Sequence, residues 1–256
     1  MCWMNACTNS PVLVASDLDG TLVGNAKATA RFRDWWQAAR FSRRLVYASG
    51  RSYDSIVDSV RLLRLPKPDA IIADVGTDLR LFPSGLSLTL SASRNWAPWS
   101  SEGIQAAFDL FTYWERQPDE CQSPFKRSYF VKDPHSDWLL QARDRLAKRS
   151  LIADMIFSSN RDLDILPRGA SKGAAVEFLA RYWDIDSTHV FVAGDSGNDR
   201  SMFARDFRGI VVGNAQPELR DLSGPNVYRS ACHFADAVIE GLNHWLEERC
   251  CTDLTE

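Results

Sequence analysis

Short apolar runs alternate with stretches of helical spacing along this chain. VLVAS at 12–16 is uncharged, compact and rich in valine, which predicts a strand buried on both faces. A helix is predicted near 26–40, then a second run, RLVYAS at 44–49, a helix near 52–64, and a third run, DAIIAD at 69–74. That order is βαβαβ, and buried strands joined by helices form a parallel sheet. The alternation returns after residue 168 with a helix near 171–183, the strand HVFVAG at 189–194, a helix after Asn198, the strand RGIVVG and a closing helix near 233–248. Between these halves the texture changes to turn-rich and aromatic segments. There a helix is predicted at 101–114, a strand at KRSYFV, a helix at 136–148, and strands near 152–157 and 162–166. The fold class expected is α/β: a doubly wound, Rossmann-like parallel sheet built from 1–82 and 168–256, with an inserted α+β cap at 83–167.

Composition narrows the function. The chain has 256 residues, 45% hydrophobic and 25% charged, with a net charge of −3 and no long basic block, so neither nucleic acid nor a membrane is expected as a partner. No run reaches the roughly 18–20 apolar residues of a bilayer span, and MCWMNACTNS lacks the basic and apolar regions of a secretory leader, which sets a cytoplasmic expectation. The six cysteines (Cys2, Cys7, Cys121, Cys232, Cys250, Cys251) contain no C-x-x-C pair, so reduced thiols are expected rather than zinc or disulfides.

The chemistry gathers where the predicted strands end. Asp17 and Asp19 follow VLVAS so closely that a cation or a proton must separate them, while Gly20 lets the chain turn and Thr21 offers a hydroxyl. AGDSGND repeats the arrangement and brings Asp195 and Asp199 to the same sheet edge. Hard oxygen ligands favour Mg²⁺ over zinc. YASGRS adds Ser49 at the start of a helix able to hold phosphate, and GASKG adds Lys172 at another helix start.

The ordered set DLDGT, ASGRS, ASKG and GDSGND resembles the four motifs of the haloacid dehalogenase superfamily of aspartyl phosphotransferases. DVGTDLR, SPFKRSYFV, SSNRDLDILPRGASKG and GIVVGNAQPEL resemble its sucrose-phosphate phosphatase type, over residues 11–246. DGTLVGN, RFRDWW and VIEGLNHW lean toward the mannosylfructose-phosphate subgroup rather than the sucrose-6-phosphate one. The resemblance implies a Mg²⁺-dependent phosphatase acting on a phosphorylated, fructose-containing disaccharide. Asp17 would be the nucleophile and Asp19 the acid and base, with Ser49 and Lys172 binding the phosphoryl oxygens. The metal site would draw on Asp17, Asp19 through its carbonyl, and Asp195. Asp199 would orient Lys172 and complete the surroundings of the metal, helped by Asn198. The inserted cap would choose the sugar. Its polar and aromatic candidates are Gln122, Lys126, Tyr129, Asp162 and Asp164, with Gly50, Arg51 and Asp78 from the core. Lys126 and Tyr129, three apart, fall on opposite faces unless the strand begins between them. Trp96 and Trp99 are expected to pack the cap, with a sugar platform as the alternative, and His135, His189, His233 and His244 to play no catalytic part. A glycosyltransferase that makes the substrate is a candidate partner. The rival readings are a phosphatase of trehalose-6-phosphate or hexose phosphates, a phosphomutase, and a non-catalytic domain that partners a glycosyltransferase.

Overall fold

A computed structural model describes residues 11–88, 96, 99–109, 114–132 and 137–252, the side chains of 250–252 excepted. The expectations for Cys2, Cys7 and His135 lie outside the described residues, as do the side chains of Cys250 and Cys251.

The principal sheet contains β1 (Val12–Ser16), β2 (Arg43–Ala48), β3 (Ala70–Ala73), β4 (Asp78–Leu81), β9 (Val190–Gly194), β10 (Arg208–Val211) and β11 (Val227–Arg229), in the order β11-β10-β9-β1-β2-β3-β4. All five residues of β1 are buried because both faces are covered. Val12 and Val14 pack into a core with Phe32 and Trp36 of α1 (Ala26–Ala38), Ile56 of α2 (Tyr53–Leu62) and Leu242 of α8 (Ala235–Thr252). Leu13 and Ala15 point the other way, against Ala175, Val176 and Leu179 of α5 (Lys172–Tyr182). A period of two thus feeds two cores from one strand. Asn25 caps α1 by accepting from the Lys27 and Ala28 amides, and Ser171 caps α5 by accepting from Ala174, which fixes Lys172 at the first helical position.

The strand order reverses between β1 and β9. Chain connections leave that point in opposite directions, opening a crevice at the carboxyl ends of the two strands. Asp17 and Asp195 follow those ends directly.

The second sheet is antiparallel, in the order β5-β6-β8-β7: β5 (Trp114–Arg116), β6 (Arg127–Val131), β7 (Ala153–Ser158) and β8 (Asp162–Pro167). One face packs with α3 (Ser101–Phe108) and α4 (Trp138–Lys148) around Phe108, Trp114, Tyr129 and Leu163. This is the cap on the α/β core. Two short helices, α6 (Arg200–Phe203) and α7 (Pro217–Arg220), complete the core side.

Four details differ from the expectation. The helix expected over 101–114 ends at Phe108, and Trp114 lies in β5, where it stacks on Phe108 at 4.5 Å. The principal sheet is not wholly parallel, because β4 runs antiparallel to β3 after a tight turn over Asp74–Gly76. The edge strand β11 was not predicted. Trp96 packs in the α/β core among Leu13 and Leu166, whereas Trp99 packs on the cap and donates to the Pro124 carbonyl at 2.8 Å. Among the described residues, no helix is long and apolar enough to cross a membrane.

Candidate active site

Asp17 is fixed where β1 leaves the sheet, its amide bonded to the Ala193 carbonyl of β9 at 3.0 Å. The chain then turns tightly, with Thr21 and Val23 amides donating to the Leu18 carbonyl. Gly20 has φ +84°, and a Cβ there would lie 2.4 Å from Oδ2 of Asp195, so both the conformation and the space require glycine. The Thr21 hydroxyl donates to Oδ1 of Asp195 at 3.2 Å, tying the first acidic loop to the second.

Lys172 lies behind this pair with no exposed surface. Its ammonium donates to Oδ1 of Asp17 and to Oδ1 of Asp199, each at 2.7 Å. The other oxygen of Asp199 accepts from the amides of Asp195 and Ser196 at 3.0 and 3.1 Å. Both Asp199 oxygens are therefore engaged, which suits it to hold Lys172 and the following loop in place. Burial alone would lower the Lys172 ammonium, but the carboxylates of Asp17 and Asp199 reverse this and hold it above its ordinary range. Burial drives the Asp17 carboxyl well up, with Asp199 and Asp195 adding to the rise and Lys172 opposing it. Asp195 is pushed up to about 7 by burial and by Asp199, against Lys172 and the Thr21 hydroxyl.

One positive charge does not neutralise three buried acids. Asp17, Asp195 and Asp199 each place a carboxylate oxygen within 4.8 Å of the others, and the buried Oδ2 of Asp17 has no hydrogen-bond partner. A set of hard oxygen donors with an orphaned carboxylate oxygen fits a divalent cation.

Asp19 differs from Asp17 in its surroundings. Its side chain is 49% exposed, and Arg51 grips both its oxygens, with Nε at 2.6 Å from Oδ2 and Nη2 on Oδ1. Two acids two residues apart thus have separate environments, one dry and beside a lysine, the other open to solvent and an arginine. Ser49 is buried, accepts from the Arg51 amide at 3.2 Å, and is not the cap of α2, a position held by Ser52.

These groups open into a cavity of about 550 Å³ between core and cap, within the roughly 300–1,000 Å³ usual for small-molecule sites. The structure brings Asp17, Asp19, Ser49, Gly50, Arg51, Asp195 and Asn198 to its core side and Lys126, Asp162 and Asp164 to its cap side. Three sugar-contact candidates lie elsewhere. Tyr129 points into the cap core, stacked on Phe108 at 5.4 Å, because it follows Lys126 across the start of β6 and takes the opposite face. Gln122 spends its carboxamide on the hairpin, donating to the Gln117 and Ser128 carbonyls and accepting from the Ser128 amide. Asp78 pairs with Arg80, two residues on along β4, at 2.8 Å. Conversely, Gln117, Ser158 and Arg161 line the cavity and were not anticipated. Gln117 donates to Asp162 at 3.1 Å and Arg161 forks onto the same carboxylate, so Asp162 is held from two sides. Arg161 lay within the SSNRDLD run, but no signal in the sequence separates it from a solvated loop residue. His189, His233 and His244 are absent from this cavity.

The family model for sucrose-6F-phosphate phosphohydrolase matches residues 10–246. The mannosylfructose-phosphate phosphatase of Agrobacterium fabrum is 37% identical over 238 residues, 91% of this chain and 96% of that protein. The glucosylglycerol-phosphate synthase of Pseudomonas anguilliseptica is 33% identical over 90% of this chain but only 30% of its own length. The crystal structure of the sucrose-phosphatase from Synechocystis, in complex with sucrose and phosphate, superimposes with a TM-score of 0.85 at 30% identity, covering 92% of this chain and 98% of that one. A family model that matches residues 10–246 and a relative 37% identical along nearly the whole of both chains place this protein in the sucrose-6F-phosphate phosphohydrolase family of haloacid dehalogenase-type phosphatases.

Proposed function

We propose that this chain is a Mg²⁺-dependent phosphatase that releases phosphate from a phosphorylated, fructose-containing disaccharide, with the mannosylfructose and sucrose esters as the leading substrates. The observation that carries the reading is the asymmetry of Asp17. Its Oδ1 is taken by Lys172, its Oδ2 is buried without a hydrogen-bond partner, and the residue lines the cavity, so the carboxylate keeps free electron pairs beside the space a phosphoryl group would enter. The extents of the match to the mannosylfructose-phosphate phosphatase and to the sucrose-bound structure support the choice of substrate class.

In this reading the Asp17 carboxylate attacks phosphorus in line, the bond from phosphorus to the sugar oxygen breaks, and Asp19 gives its proton to that departing oxygen. Asp19 then takes a proton from a water that attacks the aspartyl-phosphate, which frees phosphate and restores Asp17. Lys172 and Ser49 hold the phosphoryl oxygens, and Asp199 keeps Lys172 aimed. Asp17, Asp195 and the Asp19 carbonyl would hold Mg²⁺, with Asp199 bracing them; when bound, the cation supplies the positive charge that lets one anion approach another. Asp162 and Asp164 are the cap groups suited to sugar hydroxyls, with Arg51 and Asn198 facing them from the core.

The free thiols Cys121 and Cys232 suit a reducing, cytoplasmic setting. A working partnership with the glycosyltransferase that makes the substrate is supported by the match to one part of a longer sugar-phosphate synthase. The test of the substrate is phosphate release with Mg²⁺ from mannosylfructose-phosphate, sucrose-6-phosphate, trehalose-6-phosphate and hexose phosphates, compared by kcat/KM. A preference for the fructose-containing esters of at least tenfold is expected. Equal rates across the panel would remove the disaccharide assignment.

A further inference from the structure

A buried ion pair joins the cap to the core beneath the phosphate-binding loop. Lys126, in the turn before β6, reaches across the cavity and donates to the Gly50 carbonyl at 2.6 Å. The same ammonium lies 3.1 Å from Oδ1 of Asp74. Lys126 is 3% and Asp74 6% exposed, so the pair is removed from solvent.

Asp74 belongs to an unusual segment. Asp74, Val75 and Gly76 have φ of 48°, 58° and 104°, three left-handed residues in succession, and for a β-branched valine that conformation is an outlier. The turn survives because both phosphate-binding elements are fastened to it. The Asp74 amide donates to the Arg51 carbonyl at 2.9 Å and the Val75 amide to the Ser49 carbonyl at 3.0 Å. On its other side a Cβ at Gly76 would meet the Ser171 carbonyl oxygen at 2.3 Å, so the turn lies directly on the residue that caps the Lys172 helix. Ser49 and Lys172 therefore rest on one strained support, and Lys126 is the cap's grip on it.

We propose that Asp74 and Lys126 are positioning residues that make cap docking and assembly of the phosphate pocket a single event. With the cap down, the Lys126 ammonium holds the Gly50 carbonyl and the Asp74 carboxylate together and thereby sets the Ser49 loop against the Asp17 carboxylate. With the cap lifted, Asp74 loses its counter-ion, the loop loses its clamp, and phosphoryl transfer stalls. Lys126 on this account serves the phosphate loop rather than the sugar, although it lines the cavity. The proposal rests on the phosphatase reading but not on which sugar ester is cleaved.

The test is a double-mutant cycle in the full chain with Mg²⁺, using Asp74→Asn, Lys126→Met and the pair. Asparagine tolerates the left-handed conformation, so Asp74→Asn removes the charge and spares the turn. Each variant is read with a disaccharide phosphate and with p-nitrophenyl phosphate, and thermal melting identifies any that fail to fold. Each single variant is expected to lower kcat about tenfold or more for both substrates, with less effect on KM. The double variant is expected to be no slower than the worse single. A loss confined to the disaccharide ester, or a change in KM alone, would make Lys126 a sugar contact and overturn the proposal. Independent, multiplicative losses in the cycle would overturn it too. If the wild type cleaves only p-nitrophenyl phosphate, the disaccharide assignment fails while the cycle on that ester still decides the clamp. Should Asp74→Asn not fold, Lys126→Gln supplies the same kcat and KM comparison on the two esters.

Discussion

Replacing Lys172 with methionine keeps a side chain of similar length and removes the charge that two buried carboxylates share. Taking one partner from a buried ion pair typically costs about 3–5 kcal/mol, because the charge left behind is uncompensated. Here both Asp17 and Asp199 lose a partner at 2.7 Å, and none of the three side chains is more than 6% exposed, so the upper end of that range applies. The chain can relieve the cost by protonating Asp17, whose carboxyl already stands well above its ordinary range through burial. That relief sets the pH dependence in metal-free protein. A carboxyl whose folded pKa exceeds its unfolded value near 3.9 favours the folded state at low pH, and that advantage is lost as pH rises toward the folded pKa, at about 1.4 kcal/mol per unit. Asp195, pushed up to about 7, follows the same rule and also loses the opposing charge of Lys172. Urea unfolding in EDTA should therefore show Lys172→Met closest to wild type near pH 5 and furthest from it near pH 8. Turnover should fall by about 10²–10³, the usual effect of losing one preorganised charge at a transition state. A deficit below about 1 kcal/mol at pH 8, or one larger at pH 5 than at pH 8, would refute the view that Lys172 offsets the charge of Asp17 and Asp199.

Three further outcomes are expected. Gly20→Ala forces a Cβ into contact with Asp195 at a φ of +84°, and should lower kcat/KM about 100-fold while costing roughly 1–3 kcal/mol in urea unfolding; wild-type kinetics would show that the Asp195 carboxylate does not need its place. EDTA should abolish phosphate release and Mg²⁺ restore it, with the Mg²⁺ needed for half-activation rising as pH falls below about 7, where Asp195 takes a proton; half-activation that is flat from pH 6 to 8 would remove Asp195 as a ligand. Arg51→Lys loses the two-pronged hold on Asp19 and should reduce kcat about tenfold, since lysine cannot reproduce the fork; an unchanged kcat would make that grip incidental to proton transfer.

The acids that follow apolar strands were legible because a fully buried strand leaves nowhere for charge except its end, and Asp17 and Asp195 follow β1 and β9 in just that way. Asp74 carries the same signal at the end of DAIIAD, but its meaning depends on a lysine from another domain 52 residues away, which local pattern cannot supply. Tyr129 reads as a sugar contact until the pairing of β6 between β5 and β8 decides which face looks into the cap core. Gln122 is similar, since its amide is consumed by a hairpin that exists only after Ser123 and Lys126 pair. Trp114 extends a helical pattern by periodicity alone, yet burial beside Phe108 and Trp138 in a sheet outweighs that local spacing. Local chemistry was thus readable wherever the burial of a single element determined it, and not where two distant segments had to meet.

The central claim is that Asp17 attacks phosphorus, and its most direct test is phosphate release by Asp17→Asn beside wild type, with Mg²⁺ and the preferred disaccharide phosphate. Thermal melting and Mg²⁺-dependent shifts of the melt establish that the variant is folded. The account predicts release no greater than background from a folded Asp17→Asn protein. Turnover by that variant at a substantial fraction of the wild-type rate would contradict the aspartyl-phosphate route.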